Sequence, residues 1–161
     1  MELDIDIEGW PASDWAQLVA RVAGALAEIA PEFGNARLST SIVFTTDDEV
    51  HALNREWRER DNPTNVLSFP MLSREQLLGL AENGPPEMLG DIALAYETCA
   101  REAEEKGVSL RDHAAHLLTH GFLHLAGHDH EISDGDAQVM EALEIAALAK
   151  LGIADPYRTE G

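Results

Sequence analysis

Cysteine is nearly absent. Cys99 is the single thiol, so the chain has neither a disulfide framework nor a cysteine-built metal cluster. Basic residues are also scarce: eleven Lys and Arg stand against 30 Asp and Glu, for a formal net charge of −19. That balance argues against broad, non-specific binding to nucleic acid or to an anionic membrane. Any contact with a polyanion then has to rest on a local basic or metal-centred patch. No apolar run approaches the roughly 20 residues of a membrane-spanning helix. Met1 is followed by Glu2, Asp4 and Asp6 rather than by the basic start of a signal peptide. The expectation is a cytoplasmic protein without membrane attachment. Internal repeats and low-complexity stretches are lacking too.

What is present suits one folded unit. A length of 161 residues with 45% apolar and 25% charged side chains points to a single domain over 1–161 with a hydrophobic core. Leu3, Ile5 and Ile7 alternate with acidic residues, as in a half-buried strand. Trp15, Leu18, Val19, Val22, Leu26 and Ile29 then recur at helical spacing until Pro31. A second strand is expected over 38–44. Thr46 and Glu49 open a helix that should carry Val50, Leu53 and Trp57 inward. After the turn signal at 58–63 come a short strand at 66–69 and a loop over 73–87 with at most one helical turn. A strand follows at 89–95, then a helix over 96–106 stopped by Gly107. Ser109 with Asp112 and Ser133 with Asp136 announce two further helices. The last should turn Val139, Met140, Leu143, Ala147 and Leu151 to the core, leaving 155–161 as a loose tail. The order predicts an α+β fold, a small mixed β-sheet of about four strands packed with about five helices.

The densest chemical signal is His113-Ala-Ala-His116-Leu-Leu-Thr-His120-Gly-Phe-Leu-His124-Leu-Ala-Gly127-His128-Asp129-His130. Six of the seven histidines lie in these eighteen residues. On a helix, His120 and His124 stack one turn apart. Gly127 suits the left-handed position that ends a helix, and the turn brings His130 toward the other two. Three imidazoles from a helix and its C-terminal turn describe a catalytic metal site, usually zinc, with an open position for water. The spacing is that of the metzincin proteases. Those enzymes place a general-base glutamate directly after the first histidine, where this chain has Gly121. The metal site survives that loss; the peptidase mechanism as usually drawn does not.

Three blocks extend the pattern: Asn54-Arg-Glu-Trp-Arg-Glu-Arg-Asp-Asn-Pro-Thr-Asn-Val-Leu-Ser-Phe69, Leu89-Gly90-Asp91-Ile92, and His120 to His130. Together, and in this order, they closely resemble the bacterial YbeY family over nearly the whole chain. The resemblance implies a zinc-dependent, single-strand-specific endoribonuclease in ribosomal RNA maturation, including 16S rRNA 3′-end processing, and in ribosome quality control. It implies His120, His124 and His130 as ligands of one zinc per chain, Arg58 as the arginine that aids catalysis, and ribosomal RNA with the ribosome or a ribosomal protein as partners. DNA is not an expected partner. His128 stands where the family often has tyrosine, and residues 73–87 fall in a variable loop.

Other residues keep two readings. His113 and His116 share the helical stripe of His120 and His124, and either support the site or serve the core. Asp129 either orients an imidazole or caps the turn. Asp91 is either structural or a supporting carboxylate. Arg58 either offsets a helix dipole or meets charge that develops on a phosphate. Two competing functions stand beside RNA hydrolysis: a zinc peptidase with a displaced base, and a ribosome-assembly factor with a structural metal. An open three-histidine site argues against the last, because structural zinc is usually closed by four protein ligands.

Overall fold

The computed structural model describes residues 1–58, 64–128 and 134–157. Among these, four strands form one sheet: β1 (Glu2–Ile7), β2 (Leu38–Thr45), β3 (Val66–Pro70) and β4 (Glu87–Ala95). Their spatial order is β1-β2-β4-β3. The pairs β1–β2 and β2–β4 are parallel, and β3 runs antiparallel to β4 at the edge. Parallel neighbours need a crossover, which helix α1 (Trp15–Ile29) provides between β1 and β2. The other helices are α2 (Asp47–Arg58), α3 (Arg74–Leu78), α4 (Tyr96–Lys106), α5 (Leu110–Leu125) and α6 (Asp134–Lys150). The expected α+β fold with a small mixed sheet is therefore found.

The pleat of β4 divides the interior. Ile92 and Leu94 face the main core with Val22, Leu26, Phe33, Leu118 and Phe122, whereas Ala93 and Ala95 face a smaller cluster with Val50 and Leu67. Helices α1 and α5 accordingly cover one side of the sheet, with α6 packed on those two helices, and α2 lies on the other side. Alternate residues of one strand serve two cores because successive side chains point to opposite faces.

Two expected helix faces are corrected. Trp57 does not turn inward; it is 67% exposed. Val50 packs over Ala93, Ala95 and Leu67, with Leu53 at the margin of that cluster. Seven residues further on, about 10 Å along the helix, Trp57 stands beside the edge strand β3, next to Ser68, Phe69 and Pro70, and is not covered by a further strand. On α6 the buried residues are Met140, Glu144, Ala147 and Leu148, while Val139 is 52% exposed. Apolar side chains surround this helix on several sides, so spacing alone does not single out the buried face. The tail also departs from expectation: Tyr157, within the segment expected to be loose, hydrogen-bonds Glu144.

Caps are local and mostly as read. Glu49 N–H donates to Thr46 Oγ1 at 3.3 Å and Asp112 N–H to Ser109 Oγ at 3.0 Å. The Glu49 carboxylate, however, accepts from Thr45 Oγ1 at 2.7 Å instead of closing a box on Thr46. Ser133 lies outside the described residues. The loop at 73–87 contains α3, opened by a reciprocal Ser73–Gln76 capping box.

One glycine marks where the helical layer meets the sheet most closely. Gly90 (φ +156°) follows a bulge at Leu89, and a Cβ there would lie 2.4 Å from Phe69 O and 2.6 Å from Leu125 Cδ2. Only a hydrogen at this position lets β3, β4 and the end of α5 converge. Gly90→Ala is expected to lower the unfolding free energy by about 2–4 kcal/mol in urea titration, from backbone strain plus overpacking. A variant as stable as the parent would show that the contact is soft.

Candidate metal centre and catalytic groove

Helix α5 runs through the middle of the molecule, with α1, α4, α6 and the sheet around it, so it is buried on nearly every side. Its histidines at 113, 116, 120 and 124 form one stripe. Gly121 lies on another side, where a Cβ would meet Ile92 at 3.2 and 3.3 Å. The position at which a zinc protease carries its base is thus packed against the sheet. A glutamate there would be buried in apolar surroundings, without a route to substrate.

His120 and His124 come together as the i, i+4 spacing requires. Their Nε2 atoms are 3.0 Å apart and the rings meet edge to face. Two nitrogens at about 2.0–2.1 Å from a tetrahedral zinc would lie about 3.3 Å apart, so the pair fits a shared cation. The donor chemistry agrees, because the other ring nitrogen of His120 is already engaged: Nδ1 is hydrogen-bonded to Glu144 Oε1. Among the described residues no group of three or more His, Cys, Asp or Glu side chains is arranged to hold a metal ion. His130, the expected third ligand, lies outside them, as does Asp129.

The turn that leads toward His130 is built as its glycine implies. His128 N–H donates to Leu123 O and Gly127 N–H to His124 O, both at 3.0 Å, the paired bonds of a Schellman cap. Gly127 has φ +92°, and a Cβ there would sit 2.5 Å from Arg74 Cβ. Arg74 holds the same corner by donating from Nη1 to Ala126 O at 2.9 Å and pairing with Glu32.

Glu144 is the residue that sequence reasoning missed. It is 0% exposed on α6, and three partners converge on its carboxylate: His120 on Oε1, His116 Nε2 on Oε2 at 3.4 Å, and the Tyr157 hydroxyl on Oε2. Burial pushes its carboxyl up, but the hydrogen bonds from His116, His120 and Tyr157 outweigh this and bring it down to about 2. Burial and the contact with Glu144 push the Tyr157 hydroxyl well above its usual value, so it stays a donor. The available signal was an acid amid apolar residues on a helix already judged to face the core.

The remaining candidates separate. His116 joins the Glu144 cluster. His113 is buried and bonded to Glu102 Oε1 at 2.9 Å, and the same oxygen accepts from Asn65 Nδ2 at 2.9 Å. Burial lowers the His113 pKa despite that carboxylate. Asp91 is an exposed residue of β4 opposite Phe69 and Ser41. Arg58, in the last described turn of α2, donates from Nη1 to Ser68 O of β3 at 3.0 Å. With Trp57, Ser68, Phe69 and Pro70 it lines a cavity of about 380 Å³. Phe69 O and Leu125 Cδ2 both approach Gly90, so the strand that borders the cavity and the end of α5 meet there.

The class so defined is an α+β protein with paired imidazoles backed by a buried carboxylate and an arginine on the sheet edge. A family model described as Endoribonuclease YbeY matches residues 5–152. The chain belongs to the YbeY family. A protein of Erythrobacter litoralis named endoribonuclease YbeY is 66% identical over 157 residues, covering 98% of each chain. One of the same name from Novosphingobium aromaticivorans is 55% identical over 161 residues, covering 99% of this chain and 96% of the other. The solution structure of a Thermotoga maritima protein aligns with a TM-score of 0.59 at 22% identity, over 98% of this chain and 99% of that one, a likeness of fold.

Gly127→Val is expected to weaken divalent-metal binding without altering a ligand. A β-branched residue at a left-handed position costs roughly 1–3 kcal/mol, and here it also meets Arg74. Chelator competition should register a drop of about tenfold or more. Parental affinity would show that this corner does not set the site.

Proposed function

We propose that this protein is a zinc-dependent endoribonuclease specific for single strands, acting in ribosomal RNA maturation, including 16S rRNA 3′-end processing, and in ribosome quality control. The observation that carries the reading is the 3.0 Å approach of His120 Nε2 and His124 Nε2, with His120 Nδ1 engaged by Glu144. Membership of a family described as an endoribonuclease supplies the substrate class. His120, His124 and His130 would hold one zinc. Bound there, the metal would supply Lewis acidity toward a phosphoryl oxygen and toward water.

The chain's own residues do the rest. Arg58 offers a planar cation at an exposed edge, its Nη1 aimed by Ser68 O. Such a group binds a phosphodiester and gains strength as charge grows on the phosphoryl oxygens. Glu144 is not a candidate base, since it is 0% exposed and both oxygens are taken. It holds His120 rather than a substrate proton. The peptidase alternative is disfavoured by the packing of Gly121 on Ile92.

The charge of −19 makes delivery of the strand part of the reading. A strongly acidic chain repels free RNA, so modest affinity is expected unless the ribosome or a ribosomal protein presents the strand. No described helix is long and apolar enough to cross a membrane. A cytoplasmic site of action fits a ribosomal substrate.

The test is a matched set of RNA and casein digestions with the parent protein, Arg58→Ala and a chelated control. Arg58→Ala should keep its metal and most of its stability. It should lose roughly tenfold or more in kcat, as expected for a contact made mainly in the transition state. Chelator-sensitive casein cleavage without RNA cleavage would favour the peptidase. RNA cleavage indifferent to both chelator and mutation would mean a contaminating nuclease.

A further inference from the structure

We infer that Glu144 is the positioning residue of the metal centre, and that the C-terminal segment takes part in the centre through Tyr157. The inference rests on the reading of His120 as a ligand and goes beyond it, to the device that holds this imidazole in its working form. Glu144 lies 24 positions from His120 in sequence, on the neighbouring helix, yet its Oε1 meets His120 Nδ1 directly. An ionised carboxylate is acceptor-only, so the proton between the two resides on Nδ1. Nε2 is then the unprotonated nitrogen of the ring, and it is the one directed at His124 Nε2. A ring fixed in this tautomer and orientation is prepared as a ligand before any metal arrives.

The other oxygen keeps the carboxylate in place. Oε2 accepts from the Tyr157 hydroxyl, His116 Nε2 lies 3.4 Å from both Oε2 and the Tyr157 oxygen, and the ring of Tyr157 stands edge-on to that of His116 at 5.4 Å. Without those partners a side chain 0% exposed would have an unsatisfied oxygen and freedom to rotate. Tyr157 lies beyond the end of α6, and Asp155 steadies it by accepting from Tyr157 N–H at 2.8 Å. The segment after α6 is thus a strap, fastened by one hydroxyl to the group that orients His120.

A merely structural role predicts that stability changes and metal affinity does not. Three variants distinguish the two: Glu144→Gln, Tyr157→Phe, and Met140→Ala as a core control on the same helix. Zinc affinity is read by chelator competition, stability by urea titration, and the His120 Nδ1 proton by NMR in the metal-free protein. Glu144→Gln is expected to bind zinc roughly 10- to 100-fold more weakly, the effect of losing a carboxylate behind a histidine ligand. The Nδ1 proton should move upfield on a neutral acceptor. Tyr157→Phe should weaken zinc binding roughly 2- to 10-fold, while Met140→Ala loses stability but keeps the parental affinity. If Glu144→Gln fails to fold, Tyr157→Phe decides alone. Parental zinc affinity and an unmoved Nδ1 proton in the folded Glu or Tyr variant would overturn the inference. Loss of affinity in Met140→Ala equal to that in Glu144→Gln would overturn it as well. Should the parent bind no zinc, the proposed function falls, and the position of the Nδ1 proton still decides whether Glu144 holds His120.

Discussion

A carboxylate placed between two helices in the core governs this structure. Burying Glu144 without partners would cost several kcal/mol, so α5 and α6 must dock in a register that delivers His116 and His120 to it. Tyr157 completes the set from beyond α6. The docking of the helices and the preparation of the imidazole are therefore one event. A shift of α6 by one residue would rotate the glutamate about 100° away from both histidines.

The sheet imposes the second constraint. A helix buried on nearly every side needs small residues where it touches strands, and α5 has Gly121 against Ile92 while Gly90 admits Leu125. These hydrogens in place of side chains bring the histidine helix close to β3 and β4. The same closeness excludes protease chemistry at position 121, which faces packed hydrocarbon rather than solvent. Helix α2, on the opposite side, reaches the edge strand β3 at its last turn, where Trp57 is exposed beside Arg58 and Arg58 bonds Ser68 O. The end of α2 and the edge of β3 together form the groove.

Charge enters at a third level. The acidic surplus is spread over the chain, whereas the groups suited to an anionic substrate are few and local: the guanidinium on the β3 edge and the paired imidazoles. Repulsion at a distance and attraction at one spot favour a strand already held in place over one captured from solution.

Much of this was legible beforehand because it depends on one element at a time. Alternation along a strand, a recurring stripe on a helix, a hydroxyl three residues before its amide and a glycine after the last turn are local patterns. They report strands, helices, caps and the left-handed stop at Gly127 regardless of neighbours. The i, i+4 pairing of His120 with His124 is local in the same sense, so the sequence by itself determined those two approaching nitrogens. Tertiary structure alone decided the rest. Whether Trp57 is buried depended on where the sheet ends, and which side of α6 faces inward depended on the histidines of another helix. That Glu144 and Tyr157 belong to the site depended on contacts across 24 and 13 positions. A periodic pattern records how often a residue type recurs along an element. It does not record which polar group is waiting in the neighbouring element, and a buried charge is placed by that partner alone.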